Sequence, residues 1–323
     1  MRGKSGSATI EGVTAILAGT AAGLWRLDSD GGRAMALEGR EVGALASQSW
    51  ERLWAIVDGA EIWRTGAEDG WALVASLAGS GFDGLRAHCL ADTRANALGA
   101  ILVGTSRARL LRVDGSGSVE PVAAFDVAPG RASWSTPWGD PPDTRTITKD
   151  RENVFVNIHV GGVLRSGDQG QSWQPTIDID TDVHRVVTGH GRVYAAGAYG
   201  LSVSENAGET WRLAAAGLHA AYCRSVAVCG DAVLVSASTG PGGRQSAVYR
   251  TDVAAGTFER CRAGLPEWFD RNVDSLCLDA LQDGSLAAFG TQDGEVYASR
   301  NAGASWERVA AELGAVRCVL TLP

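Results

Sequence analysis

The sequence predicts an all-β fold, a seven-bladed β-propeller with four antiparallel strands per blade. Three observations carry that expectation. A short motif recurs at intervals of 38 to 53 residues, the length a four-stranded blade needs. The runs between its copies are short and alternate apolar with polar residues, the period of a half-buried strand. Forty-two glycines and eleven tryptophans stand against two methionines, a balance suited to tight turns and packed sheets rather than to long helices.

The motif is an apolar residue, two further residues, Ser or Thr, a Gly-containing turn and an aromatic. Its clearest copies run Val163 to Trp173, Leu201 to Trp211 and Val296 to Trp306, and weaker ones begin at Leu24, Ile62, Leu110 and Val248. That makes seven. The copies resemble the Asp-box (BNR) repeat, S-x-D-x-G-x-[ST]-W, of sialidases, photosystem II assembly propellers and many uncharacterised bacterial proteins. Asp168, Asn206 or Asn301 can hydrogen-bond the turn backbone, the glycine takes a positive φ and the Trp packs between blades. In the families that carry the box it lies on the face away from the ligand, so it reports architecture and not activity.

A single domain over 1–323 follows, with blades at 13–40 plus 315–322, 41–78, 84–126, 143–176, 183–214, 223–262 and 273–310. In blade five the reading gives an inner strand Arg185 to Thr188, a second Arg192 to Ala196, a third Leu201 to Ser204 and an outer strand from Thr210. Blade one lacks an inner strand, because Val13 to Thr20 already reads as a second strand. Val316 to Leu322 can supply it and close the ring without an exposed edge.

A formal charge of −8 with a pI near 5.2 and no Lys/Arg block excludes a nucleic-acid surface. Met1 to Gly23 lacks a basic segment followed by an apolar one, and no 18-residue apolar run occurs, so no membrane partner is expected and the protein reads as soluble and cytoplasmic. Cys89, Cys223, Cys229, Cys261, Cys277 and Cys318 form no CxxC pair and read as reduced, buried thiols.

By resemblance, the residues entering the inner strands line a central funnel on the ligand face. Aligning those strands places Gly43, Arg86, Arg145, His184, Arg224, Asp274 and Arg317 at matching positions. Guanidinium forks in a funnel suit a carboxylate or phosphate. The alternative is that the arginines merely neutralise Asp83, Asp143, Asp182 and Asp274. His159, His184 and His219 should face the same mouth, where imidazoles could hold Zn, Fe, Cu or Mn, whereas His88 and His190 read as ordinary strand and turn residues. Tyr199, Trp138 and Trp268 are candidate contacts for the ligand, with Glu267, Asp274, His184 and Tyr222 as candidate catalytic groups.

Sialidase chemistry is not implied. Arg26 and Arg64 sit in Leu-Trp-Arg and Ile-Trp-Arg contexts, not in the Arg-Ile-Pro type segment of that family, and seven blades replace its usual six. Two functions remain open. One is an enzyme of hydrolase or lyase type acting on a small anionic substrate; the other is a non-catalytic scaffold that uses the same face to bind a protein.

Overall fold

A computed structural model describes residues 14–49, 52–66, 70–92, 100–150 and 152–323. The start of the first predicted blade at Val13, and most of the stretch read for a leader, lie outside these residues. Seven four-stranded antiparallel sheets make up the fold, each connected in simple meander order except one. In that sheet Val316–Leu322 pairs with Ala15–Thr20, which continues through Gly23–Asp28 to Arg33–Ala36. The last strand of the chain thus fills the innermost place of blade one.

The remaining inner strands are Val42–Ser49, Ala87–Asp92, Asp143–Lys149, Val183–Gly189, Tyr222–Cys229 and Leu278–Ala280. Blade five continues through Arg192–Gly197 and Gly200–Ser204 to Arg212–Ala214, so its outer strand begins two residues later than Thr210. Among the described residues no helix is long and apolar enough to cross a membrane.

The repeated hairpins explain why this sequence turns where it does. In blade four Ser166 Oγ donates to Asp168 Oδ1 at 2.8 Å and accepts the Gly170 amide at 2.7 Å, while the Ser172 amide donates to Asp168 Oδ1 at 2.8 Å. Asn206 and Asn301 hold their hairpins the same way, accepting from the Thr210 and Ser305 amides at 2.9 Å each. Gly170, Gly208 and Gly303 close these turns at φ near +89°, +87° and +84°, a region that costs a side chain dearly. The tryptophan that ends each copy then packs inward. Trp173 meets Phe125 edge-on at 5.1 Å, and Trp306 meets Phe289 at 5.0 Å.

Apolar faces of neighbouring blades form the core. Phe289 is fully buried and also contacts Phe269 and Tyr297, so truncating it to Ala should cost about 3–5 kcal/mol. Three second strands carry a glycine, Gly19, Gly104 or Gly290, where the next blade presses against them. A Cβ at Gly104 would meet Cys89 Sγ and Thr144 Cγ2 of the next blade at 2.5 Å.

Candidate functional site: an arginine-lined mouth beside a His-Asp-His cluster

One irregularity recurs in the inner strands and builds the site. The register between inner and second strand slips across Gly43, His88, Arg145, His184, Arg224 and Arg317, each an extra residue relative to its partner strand. Blade seven widens the same feature into a turn over Asp274 to Leu276, closed by the Cys277 amide on the Asp274 carbonyl at 2.9 Å. Such a bulge re-aims one side chain out of the strand's alternation. Here His88, Arg145, Arg224 and Arg317 turn toward the central cavity, while His184 packs against the next blade.

The carbonyl preceding the bulge is held by the neighbouring blade. Cys89, Cys277 and Cys318 donate their thiols to the carbonyls of Thr144, Val316 and Val42 at 3.5–3.6 Å. Asn157 Nδ2 and Ser236 Oγ do so for Val183 and Val273 at 2.7 and 2.9 Å. His184 Nδ1 takes this role toward Cys223, at 2.6 Å. In six of the seven steps around the ring, one blade therefore holds the backbone just before the next one's bulge.

A cavity of about 390 Å³ opens at this level, lined by Gly43, Arg86, His88, Arg145, Arg224, Asp274 and Arg317 together with Glu41 and residues 275–276. A second cavity of about 220 Å³ follows along the axis, with Leu276 lining both. The arginines are paired. Arg86 bonds Glu41 Oε1 and Arg317 lies 3.6 Å from Glu41 Oε2, so two guanidiniums share one carboxylate. Arg224 donates through Nε and Nη2 to Asp274 Oδ1 at 3.1 and 2.7 Å, and Gln292 donates to Asp274 Oδ2 at 2.8 Å. Arg145 lies 3.6 Å and His88 3.5 Å from Asp143 Oδ2. Burial favours the neutral acid of Asp143, but the hydrogen bond from His88 and the charge of Arg145 more than offset that and hold it below the usual carboxylate range.

Four guanidiniums thus face three carboxylates. Arg86 and Arg317 are also the most solvent-exposed of the four, with 55% and 43% of their side chains accessible.

At the edge of the mouth lies a His-Asp-His cluster. His159 Nε2 and His184 Nε2 lie 3.1 and 3.4 Å from the same oxygen, Asp182 Oδ1, and the three ligand atoms fall within 4.8 Å of one another. Arg145 joins cluster and cavity, because its Nη2 also lies 3.5 Å from His159 Nδ1. The Trp138 and His159 ring centroids lie 5.4 Å apart, and Tyr222 packs on His184 at 4.7 Å. Burial pushes the Tyr222 phenol up, against the pull of Arg224, so at neutral pH it is a hydrogen-bond donor.

Several expectations are corrected by this geometry. His88 is not an ordinary strand residue; it occupies the bulge of blade three, and Arg86 enters the cavity from two residues upstream. His219 does not join His159 and His184, because Nδ1 is bonded to Tyr249 Oη at 2.7 Å and the ring packs on Trp268; Asp182 takes its place. Trp268 is held between His219 and the Arg260 guanidinium, whose Cζ stands 3.6 Å from the ring centroid, and does not line the cavity. Glu267 is exposed on the same loop and likewise does not line it. Asp274 is committed to Arg224 and Gln292, which leaves it poorly placed as an acid or base. Asp83 accepts the Gly79 amide, and Glu41, which the sequence reading passed over, does the pairing instead. His190, as expected, lies in a turn, its Nε2 2.8 Å from the Gly230 carbonyl. Asp182 sits just before the strand Val183–Gly189, which carries His184 as its second residue, and the close spacing Asp182-x-His184 is the sequence signal for the cluster.

No protein-family model matches the chain, and no curated protein matches it. Solved structures do. The chain is similar to an ancestral GH74 enzyme (TM-score 0.62, 16% identity), covering 92% of this chain but only 40% of that one. It is similar to YCF48 bound to D1 peptide (TM-score 0.57, 13% identity; 91% of this chain, 85% of that one). The computationally designed Ika8 protein is a third (TM-score 0.55, 12% identity; 93% and 84%). At these identities the likeness is one of fold, and it places the chain among the β-propellers.

Proposed function

We propose that the propeller binds a small anion, a carboxylate or phosphate, in its central mouth, and acts on it as an enzyme of hydrolase or lyase type. One observation carries the anion reading: Arg86, Arg145, Arg224 and Arg317 converge from four blades on a cavity where, among the described residues, three carboxylates pair them, Glu41 and Asp274 in its lining and Asp143 beside it. Arg86 and Arg317 share Glu41, so an incoming anion would gain charge-assisted hydrogen bonds without stripping either arginine of its sole partner. The protonated Tyr222 supplies a group that can give a proton at the cavity edge. The hairpins around Asp168, Asn206 and Asn301 support membership of the Asp-box propellers, and six unpaired buried cysteines support a reducing, cytoplasmic setting.

Titration calorimetry with inorganic phosphate and with succinate tests the anion reading. The Arg86→Ala/Arg317→Ala double variant should weaken binding at least about tenfold, a loss of about 1.4 kcal/mol. Equal heats for the variant and the parent would overturn it. A second reading is favoured by Trp138 and Tyr199, which leave 59% and 69% of their surface exposed, and by the peptide complex of the structural neighbour YCF48. On that reading the same face would hold a protein segment; binding of an acidic peptide that phosphate does not displace would select it.

A further inference from the structure

We propose that His159, Asp182 and His184 bind one divalent transition metal, through His159 Nε2, Asp182 Oδ1 and His184 Nε2. The site stands whether or not the arginines hold an anion, since its ligands come from a different set of residues.

His184 makes the strongest case. It is 2% exposed, and its Nδ1 lies 2.6 Å from the Cys223 carbonyl, which can only accept. Nδ1 therefore carries the ring proton, and the neutral ring presents a lone pair at Nε2. That atom has no hydrogen-bond partner, and the atom it faces, Asp182 Oδ1, is likewise buried without one of good geometry. Two lone pairs 3.4 Å apart in a buried place repel each other, and a cation between them turns that repulsion into two bonds.

The spacing suits a metal. Ligands at about 2.0–2.2 Å from a tetrahedral centre stand about 3.3–3.6 Å from one another. Here both imidazole nitrogens already stand at ligand spacing from Asp182 Oδ1, 3.1 and 3.4 Å, and all three atoms lie within 4.8 Å of one another. Two imidazoles and one carboxylate form a donor set for zinc or ferrous iron rather than for calcium or magnesium, which prefer oxygen alone. The Cys223 carbonyl on His184 Nδ1 is the kind of outer contact that orients a ligating imidazole. With Nε2 of His159 on the metal, its Nδ1 carries the ring proton and gives up only the long 3.5 Å contact to Arg145. Three protein ligands leave a coordination position for water or a substrate oxygen.

The competing occupant is a proton on His184. Tag-free protein, purified without chelator, separates the two when titrated with Zn(II) in metal-free buffer and, in parallel, with Co(II) followed by visible absorption. The expected result is one equivalent bound, with the intense bands of low-symmetry Co(II). Asp182→Asn and His184→Gln should each weaken Zn(II) binding at least about tenfold, and His219→Ala should leave it unchanged. Asp182→Asn carries the test if His184→Gln does not fold, because it leaves the Cys223 contact in place. Less than about a tenth of an equivalent bound, or parental affinity in the folded ligand variants, would overturn the metal and leave the proton. Loss of Zn(II) binding in the arginine double variant is not expected, so failure of the anion reading and failure of this one are distinguishable.

Discussion

Arg185 of blade five reaches across the channel to Asp279 of blade seven: Nη2 lies 3.7 Å from the carboxylate, while Nη1 donates to the Ser275 and Leu278 carbonyls at 2.6 Å each. Its side chain is 11% accessible, and it lines the inner cavity just below the residues that line the mouth. No other arginine of the described inner strands spans two non-adjacent blades in this way.

Arg185→Met should therefore destabilise the ring. The variant keeps much of the volume but takes the guanidinium donor from the Leu278 carbonyl, leaves the Ser275 carbonyl to the Ser225 hydroxyl, and leaves an acid whose remaining partners are the Thr321 amide and hydroxyl. A loss of about 3 kcal/mol is expected, read from the urea midpoint at constant slope. A change below about 0.5 kcal/mol would show that the crossing contributes little to stability.

The hairpins predict a specific acid response. Hydrogen bonds from the Ser172 side chain and amide and from Ser166 hold the Asp168 carboxyl down to about 2. A depressed acid adds stability that is complete above its unfolded value of about 3.9 and is lost as the pH falls through its folded value. Asn206 and Asn301 perform the same bonding with a group that does not titrate. Asp168→Asn should hence match the parent's fold at neutral pH and lack this part of the parent's decline between pH 4 and pH 2. Because Asp168 lies at the surface, the difference will be small. Parallel melting curves over that range for both proteins would contradict the assignment.

The thiols should be silent. All six are buried, and burial pushes Cys89, Cys223 and Cys318 up to about 12. A disulfide reagent at pH 8 should label none in the native protein and all six in denaturant, counted by released chromophore. Rapid native labelling of Cys89, Cys277 or Cys318 would mean that the blade contacts they make to Thr144, Val316 and Val42 open readily.

Sequence and structure agree where the determinants are local. The turn around Asp168, Gly170 and Trp173 is written within eleven residues, and Val316–Leu322 was readable as the missing strand because its alternation had no other home. The site was less legible. A bulge depends on how two strands pair, and a single-residue slip reverses which side chains face inward, so His88 was passed over and Arg86 was aligned two residues early. Loops were harder still. Nothing in the run Pro266 to Asp270 announces that Trp268 will be claimed by Arg260 and His219, and nothing near His219 announces Tyr249 as its partner.

The inner-strand bulges have a consequence for divergence. Most of what holds these bulges in place acts on the carbonyl before them, not on the side chain they present, so Gly43, Arg145, Arg224 and Arg317 can be exchanged with little effect on the backbone beneath. Relatives sharing this scaffold are free to alter what their mouths select through single codon changes, one sector at a time, without re-solving the folding problem.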